Sequence, residues 1–573
     1  MGGKALIQMV RLNVRRIIDI SGRNAIFLYI SLYIFFQLIG FNRGVHGEEF
    51  RDYIVYVSIL NGKLPYVDYR WVYGPLGAFI NAFIFKLFGS ELMVLRLVSI
   101  ALGCVAIVLA YRISKFIMPK KIAKLSGFLA IFCFDIHIPH TYGHFYGMLA
   151  NLAAAVMIFR FINSSRLYNL FLVGLLLNIS FLIHPLSFGA EMFLSILVWL
   201  VLFAFVMRLS IMRFLKLASV FLMGASLFTI PIYLLILTRA PFTRVVEILW
   251  SHPYCPLVFP SFRIDFSQIP STIDLIDKLR RIRDIVLQGL IDPLMLYLLL
   301  FIIPTIAFGM AIYWIKNKKN CNISMGILFL AVLTYSNIGY FVYSLSTLPI
   351  ISGISRFFLH YPAILLVFLI YHLFGYLASK NLKFLKRLAG LSCLFFFIIF
   401  LSFYHGYKLT NLFLKKWTIF NIPSIRGIYF PEDAIEMFIL PSEYIRNNSV
   451  KGDKLYVAFY GPVYYVLSGL PSIFPENIYD AAPYSMIMDS SKLPRYDWKP
   501  MTMEDVVIKK IEEGRPKFIV KRDNYRLSPG ELSVFNIGPK AEKYILNNYS
   551  LVKMFLYSKD GANLGIYQRK ESL

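Results

Sequence analysis

Apolar segments long enough to form membrane-spanning helices recur through the first 405 residues of the chain and alternate with polar connections. A helix of roughly 17 to 25 apolar residues matches the hydrocarbon thickness of a bilayer. We therefore predict a polytopic α-helical membrane protein with about eleven transmembrane helices. The segments are 25–41, 92–114, 122–139, 143–162, 167–185, 189–207, 217–237, 290–314, 323–345, 357–379 and 388–405.

Charged residues between these segments predict the orientation of the chain. Every second connection is short and carries Lys, Arg or both but no acid; these are 112–124, 160–166, 208–216, 316–319 and 380–387. All but one of the acidic residues before position 406 fall on the other side. By the positive-inside rule the N-terminus is cytoplasmic, and the long connections 42–91 and 238–289 are extracytoplasmic. Because no small-residue cleavage site follows segment 25–41, we expect a retained span and not a signal peptide.

Both long outer connections contain a segment of unusual character. Residues 75–89 are apolar but short for a span and follow Gly74-Pro75, so we expect a helix along the membrane interface. In 238–289, a basic cluster of Lys278, Arg280, Arg281 and Arg283 breaks the positive-inside pattern. Phosphate binding and an amphipathic helix on anionic headgroups both account for that cluster.

After residue 405 the pattern changes from long apolar segments to short alternating ones. Strand-like runs at 454–461 and 517–523 alternate with helical patterns at 463–469, 503–517 and 539–550. Such alternation predicts a small α/β domain. We therefore divide the chain into a transmembrane domain at 1–405 and an extracytoplasmic domain at 406–573.

Composition agrees with a membrane protein and excludes a nucleic-acid-binding one. Hydrophobic residues make up 58% of the chain and charged residues 16%, and the mean hydropathy is +0.63. The net charge of +27 comes from short basic clusters between apolar runs, which are typical of topology signals and contacts with anionic lipids. The five cysteines show neither a disulfide framework nor the spacing of a metal site.

The first outer connection carries an ordered set of motifs. An acidic pair, Glu48-Glu49, is followed by Gly62 to Asp68, by Gly74-Pro75, by Phe88-Gly89 and by Arg96 inside the next apolar segment. This order resembles the N-terminal signature of the GT-C membrane glycosyltransferases, in particular protein mannosyltransferases and lipid A aminoarabinose transferases. The segments 355–366 and 460–469 are similar to later parts of the same superfamily.

This resemblance implies transfer of a sugar from a polyprenyl-phosphate-linked donor to an envelope glycan, lipid or protein acceptor on the extracytoplasmic face. A base must take the acceptor's proton, and positive charge must stabilise the departing lipid phosphate. Glu48 and Glu49 are the candidate catalytic carboxylates, with Glu48 as the base. The candidate substrate-binding residues are Asp52, Asp68, Arg96, His144 and Arg356, of which Arg356 is the first choice for the donor phosphate.

Ordinary structural roles also account for several of these residues. The acids at 48, 49 and 52 are also typical of the solvent-exposed end of a loop. Asp68 is typical of a local turn, and Arg356 of a residue that anchors a helix at the membrane interface. Arg96 has either a buried partner, a phosphate or an interfacial position, because an unpaired charge in an apolar segment is costly.

Two departures from the superfamily pattern bear on the mechanism. Glu48 stands where Asp is usual, and His144 occupies the position where many members have a second acid, with Asp135 earlier in the chain. A carboxylate pair bridging a divalent cation is therefore not favoured, and we expect a metal-independent mechanism. His137 and His140 suit interfacial hydrogen bonding better than metal binding, because Pro139 interrupts their spacing.

Other functions compete with this interpretation. A polysaccharide polymerase or ligase acting on lipid-linked glycans needs the same membrane geometry. A secondary transporter would show inverted repeats and ionisable residues at the middle of the membrane, and the predicted spans have few beyond Arg96. An assembly factor would leave the acidic motif unexplained.

Overall fold

The computed structural model describes most of the apolar segments, the first outer connection and much of the C-terminal domain. The described residues are 24–44, 47–69, 71, 73–131, 143–242, 245, 302–317, 321–336, 360–379, 416–420, 422–458, 461–473, 503–523, 539–556 and 563–570.

Helices occupy the described parts of the predicted spans, and two further helices lie in the first outer connection. In chain order they are α1 (Asn24–Gly40), α2 (Gly47–Leu60), α3 (Pro75–Phe88), α4 (Leu92–Ile117), α5 (Lys120–Ile131), α6 (Gly143–Ser164), α7 (Leu167–Ile183), α8 (Glu191–Val206), α9 (Ile211–Ser226), α10 (Thr229–Leu237), α11 (Ile303–Lys316), α12 (Cys321–Ser336) and α13 (His360–Ser379). A π-helical turn, Pro185–Ala190, joins α7 to α8.

Length and apolarity identify membrane-spanning candidates among these helices. Within the described residues, Leu92–Ile117 and Phe145–Ser164 qualify alone, and the bent pair α9–α10 qualifies as one broken span. The other apolar helices are shorter, with 10–17 residues in their apolar parts. The chain is thus mostly helical with membrane-spanning candidates, while the number of eleven spans stays a prediction because 388–405 and much of 290–314 lie outside the described residues.

The predicted span 217–237 is not one straight helix. It begins earlier, at Ile211, and bends by 43° between α9 and α10. Pro231 has no N–H to continue the helical hydrogen bonds across the break. Asn178 of α7 binds both halves, because its Nδ2 donates to the Gly224 carbonyl at 3.3 Å and its Oδ1 accepts from the Thr229 hydroxyl at 2.8 Å.

Close backbone contact also joins α7 to α9. A Cβ on Gly174 would lie 2.2 Å from the Phe221 carbonyl oxygen, and one on Gly224 would lie 2.3 Å from the Phe171 carbonyl oxygen. Small residues let helices approach in this way in membranes, where packing replaces the hydrophobic effect between helices. The two glycines therefore set the spacing of α7 and α9.

The C-terminal part contains a small α/β sheet region, as the sequence predicts. Two short strands, β1 (Trp417–Ile419) and β2 (Tyr429–Pro431), pair antiparallel. A second sheet has the order β3-β4-β6-β5, in which β3 and β4 are parallel and the other pairs antiparallel. Its elements are β3 (Leu455–Val457), β4 (Phe518–Asp523), β5 (Tyr549–Leu556) and β6 (Asn563–Arg569), with helices α14 (Leu440–Asn447), α15 (Pro462–Ser468), α16 (Met503–Gly514) and α17 (Pro539–Asn548).

The two faces of the second sheet bury different partners. Tyr456, Ile519 and Tyr567 pack in one core with residues of α16 and α17. The alternate residues, among them Val457 and Val520, share a core with α2, α3 and the connection between them. The C-terminal domain therefore packs directly on the first outer connection, a contact that the sequence did not predict.

We expect Gly174→Ala to lower the stability of the purified protein by about 1–3 kcal/mol, because the methyl group would collide with rigid backbone of α9. Gly309→Ala is the matched control, since nothing lies within 4 Å of a Cβ at this exposed helical position. Thermal unfolding in detergent measures both. Equal melting temperatures for the two variants would contradict the role given to Gly174.

Candidate functional site

Helix α2 places the acidic motif at the ends of two apolar helices. Six residues separate it from the end of α1, and its first turn contains Glu48 and Glu49, where carboxylates interact favourably with the helix dipole. It ends at Leu60. Gly62, two residues later, has a φ of +81° that suits a left-handed cap, and its N–H donates to the Ile59 carbonyl at 2.9 Å. The backbone of Glu48 is described within α2, whereas its side chain lies outside the described residues.

Glu49 forms a buried ion pair with Arg96 of α4. Arg96 Nε donates to Glu49 Oε1 at 3.1 Å and Nη2 donates to Oε2 at 2.9 Å. The guanidinium also donates to the Phe41 carbonyl at 2.7 Å and to the Gly44 carbonyl at 2.5 Å. Arg96 is 0% exposed, so these contacts replace water as its hydrogen-bond partners. One side chain thus fixes α4, α2 and the connection after α1 together.

Asp52 lies one turn after Glu48 and faces a second cation. Arg51 Nε and Nη2 lie 2.7 Å and 2.6 Å from Asp52 Oδ1, and both residues are buried. The Arg51 guanidinium lies 5.5 Å from the centre of the Tyr73 ring. That ring packs in turn on His184 at the end of α7, with 5.1 Å between ring centres. These contacts join α2 to α7.

A chain of polar side chains continues from Asp52 towards α6. The Tyr56 hydroxyl donates to Asp52 Oδ2 at 3.4 Å, and burial raises the pKa of this hydroxyl well above its ordinary value. The negative charge of Asp52 adds to the increase, and the neighbouring amide of Asn81 partly offsets it. The Tyr146 hydroxyl donates to Asn81 Oδ1 at 2.6 Å. Tyr56 therefore stays protonated and acts as a donor.

The connection between α2 and α3 is held in a tight turn. Tyr66 is fully buried at a φ of 68°, which is unusual for a bulky residue. The Tyr66 N–H donates to the Tyr69 carbonyl at 2.9 Å, and the Tyr66 hydroxyl donates to the Tyr73 carbonyl. Asp68 is exposed, and its carboxylate accepts from the Leu64 N–H at 2.7 Å. In this structure Asp68 holds the local turn.

Gly74-Pro75 begins helix α3 as the motif predicts. The Gly74 N–H donates to the Ile183 carbonyl at 2.9 Å, and a Cβ here would lie 2.2 Å from the Leu182 carbonyl oxygen. Glycine is therefore required for α3 to start against the end of α7. Along α3, Phe79, Phe83 and Leu87 are exposed at helical spacing, and its position along the membrane interface stays a prediction.

The C-terminal domain covers this arrangement and pairs with it by backbone hydrogen bonds. The Tyr429 N–H donates to the Asn42 carbonyl at 2.6 Å, and the Gly44 N–H donates to the Tyr429 carbonyl at 2.8 Å. The Arg43 guanidinium lies 5.8 Å from the centre of the Trp417 ring. Gly44 contacts both Arg96 and Tyr429, so the ion pair and the domain contact share one connection.

The structure brings some of the predicted site residues together and leaves others undescribed. Glu49, Asp52 and Arg96 lie in one buried region around α2, whereas Asp68 lies at the exposed turn. His144 is described by its backbone in α6 and not by its side chain. Outside the described residues are Arg356, the basic cluster at 278–283, Asp135, His137 and His140. Among the residues that are described, no three His, Cys, Asp or Glu side chains are grouped as a metal site requires.

Sequence reasoning missed three polar residues of this region, Tyr56, Asn81 and Tyr146. A signal existed for Asn81, because Asn81 and Lys86 are the polar side chains of the otherwise apolar helix α3. Tyr56 and Tyr146 gave no comparable signal among the 37 tyrosines of the chain.

No protein-family model matches the chain, and no curated protein matches it. Among solved structures, oligosaccharyltransferase AglB from Archaeoglobus fulgidus, in complex with an inhibitory peptide and a dolichol-phosphate, is 13% identical, with a TM-score of 0.49 over 96% of this chain and 75% of that one. ArnT from Cupriavidus metallidurans bound to undecaprenyl phosphate is 12% identical, with a TM-score of 0.48 over 96% of this chain and 98% of that one.

The A. fulgidus oligosaccharyltransferase complex with Zn and sulfate is 14% identical, with a TM-score of 0.47 over 82% of this chain. This chain spans 63% of the length of that protein.

We expect Glu49→Leu and Arg96→Met each to lower the stability of the protein by about 3–5 kcal/mol, because each leaves an unpaired buried charge. The double variant should lose clearly less than the sum of the two, since it removes both charges. Thermal unfolding of the detergent-purified variants measures the three stability losses, and the coupling energy is the difference between the loss in the double variant and the sum of the two single losses.

The exposed pair of Arg426 and Glu91, with 3.7 Å between its charged atoms, provides the control. Arg426→Ala should change stability by no more than about 1 kcal/mol. Additive losses from Glu49→Leu and Arg96→Met would show that the ion pair does not hold this region together.

Proposed function

We propose that this chain is a membrane glycosyltransferase that moves a sugar from a polyprenyl-phosphate-linked donor to an acceptor on the extracytoplasmic face. The observation that carries the proposal is the fixed position of α2. A buried ion pair and a covering domain hold this helix, with Glu48 in its first turn, at the ends of apolar helices α1 and α4. The motif order of the first outer connection supports the same activity.

The proposed chemistry is a single displacement at the anomeric carbon. The acceptor oxygen or nitrogen forms a bond to that carbon, its proton passes to the Glu48 carboxylate, and the lipid phosphate leaves with the electrons of the broken bond. A general base of this kind contributes typically ~10²–10⁴ in rate. Attack opposite the leaving group inverts the anomeric configuration.

The structure supports separate roles for the two acids of the pair. Both carboxylate oxygens of Glu49 accept hydrogen bonds from the Arg96 guanidinium. An oxygen bound in this way is a poorer acceptor for a substrate proton. We therefore assign Glu49 and Arg96 to positioning α2 and keep Glu48 as the base. Asp52, one helical turn later, lies on the polar path from α2 towards the position of His144, and Asp68 orients the turn before α3.

Positive charge for the leaving phosphate is assigned to Arg356, which precedes α13 in the sequence. A guanidinium can donate two parallel hydrogen bonds to a phosphate, which suits a leaving group that gains negative charge. The basic cluster at 278–283 is a second source of charge on the predicted outer side. Arg96 is less suited to this task, because four of its hydrogen bonds are made to Glu49, Phe41 and Gly44.

A strain that lacks the gene can identify the substrates, because its envelope should lack the product of the reaction. Mass spectrometry of its glycolipids and glycoproteins should show one missing sugar, which names the donor sugar and the acceptor together. An envelope that keeps every sugar would remove the proposed activity. Missing long glycan chains with intact core sugars would instead favour a polysaccharide polymerase or ligase.

Glu48→Gln should abolish restoration of that sugar, because the amide cannot take up a proton at neutral pH. Its membrane level and melting temperature should equal those of the wild type. Glu91→Gln changes a partly exposed acid in the same connection and should restore the sugar fully. Transfer retained by Glu48→Gln would eliminate it as the base.

Arg356→Ala should raise the donor concentration needed for half-maximal transfer by about tenfold or more, as expected for loss of a charge-assisted hydrogen bond. Arg356→Lys should recover part of the loss, since it keeps the charge without the paired donors. Transfer rates measured against donor concentration in membranes provide the comparison. An unchanged donor requirement would place the phosphate elsewhere.

A further inference from the structure

A buried chain of polar side chains crosses from α2 through α3 to α6. Its members are Asp52, Tyr56, Asn81 and Tyr146, which come from three helices that are otherwise mostly apolar. Asp52 is one turn after Glu48, and Tyr146 is two residues after His144. These polar side chains therefore connect α2, which carries Glu48, with α6, which carries His144.

Among these side chains, each tyrosine hydroxyl acts as the hydrogen-bond donor. An ionised Asp52 carboxylate can only accept, so the Tyr56 hydroxyl uses its single proton on Asp52. On the other side of Asn81, Oδ1 accepts the hydrogen bond of the Tyr146 hydroxyl, which fixes the Asn81 amide with Oδ1 towards Tyr146. Tyr146 consequently donates its only proton to Asn81, and its hydroxyl oxygen keeps free acceptor capacity on the other side.

Asn81 is an unusual residue for a purely structural role. It is 0% exposed, and its Nδ2 has no hydrogen-bond partner of adequate geometry. A buried amide donor in this condition destabilises the fold, whereas an apolar side chain of similar size would not. The amide therefore contributes something other than stability, and its hydrogen bond fixes the orientation of the Tyr146 hydroxyl.

We infer that Tyr146 binds a hydroxyl group of the substrate by accepting its hydrogen bond, and that Asn81 positions Tyr146 for this role. Tyr146 is half-buried, so part of its surface is open, while Asn81 is closed. A hydroxyl group is present both on the sugar of the donor and on a glycan acceptor. The inference rests on the proposed transferase activity and adds a specificity residue to it.

Complementation of the deletion strain tests the inference with Tyr146→Phe, Asn81→Leu and the double variant at matched membrane levels. Each single variant should lower transfer about tenfold at limiting substrate, which is the effect of one lost neutral hydrogen bond. The double variant should be no worse than either single variant, because both act through one contact. Tyr53 is a tyrosine of α2 that does not belong to this set of polar side chains. The control variant Tyr53→Phe should therefore transfer the sugar normally.

The melting temperature of Asn81→Leu distinguishes a role in positioning Tyr146 from a role in stabilising the fold. Asn81→Leu should melt at the same temperature as the wild type or higher, while its transfer falls. Titration of the donor at saturating acceptor, and of the acceptor at saturating donor, shows which substrate supplies the hydroxyl: the KM that rises in Tyr146→Phe identifies it.

The outcomes distinguish this inference from the proposed function. If the deletion strain keeps every envelope sugar, both fail together. If the sugar is lost and Tyr146→Phe restores it as well as the wild type does, the inference alone fails. Lower transfer by Asn81→Leu with an equally lowered melting temperature would also overturn it, because that pattern indicates a structural amide.

Discussion

A guanidinium with no exposure to solvent sets the main constraint on this structure. Arg96 lies in an apolar helix, where its charge must be neutralised and its N–H groups must find oxygen atoms. Glu49 supplies the charge, and the carbonyls of Phe41 and Gly44 supply further acceptors. The positions of α1, α2 and α4 follow from these requirements. Displacement of any one of the three would leave a buried charge or N–H without its partner.

The remaining contacts of the first outer connection build on that arrangement. Gly74 lets α3 start directly against the carbonyls at the end of α7, and Tyr73 packs on His184 nearby. The C-terminal sheet then covers α2 with one of its faces. Rigid support of this kind is what a reaction between two bulky lipid or glycan substrates needs, since small displacements of a reacting group lower rates strongly. The proposed base lies on a helix that the buried ion pair and the C-terminal sheet both hold in place.

Sequence patterns predicted the parts of the structure that depend on local rules. Apolar length gave the helices, Gly74-Pro75 gave the start of α3, and the alternation after residue 405 gave the C-terminal helices and strands. Long-range contacts were beyond such rules. A buried partner for Arg96 was one of several alternatives, and the sequence identified neither Glu49 as that partner nor the pairing of Tyr429 with Asn42. At the bend between α9 and α10, Asn178 of α7 binds both halves through contacts 46 and 51 positions apart in sequence, and apolar periodicity alone predicts a straight helix there.

The backbone pairing of Tyr429 with Asn42 and Gly44 has a consequence for how the protein is made. A ribosome releases the connection after α1 long before it synthesises the strand that completes it. Throughout that interval the apolar side of α2 lacks its cover from the C-terminal sheet, and closing so long a loop is slow. Maturation of the N-terminal motif is therefore a late event in biogenesis, and nascent chains that stop before the strand containing Tyr429 would present this helix to chaperones and proteases.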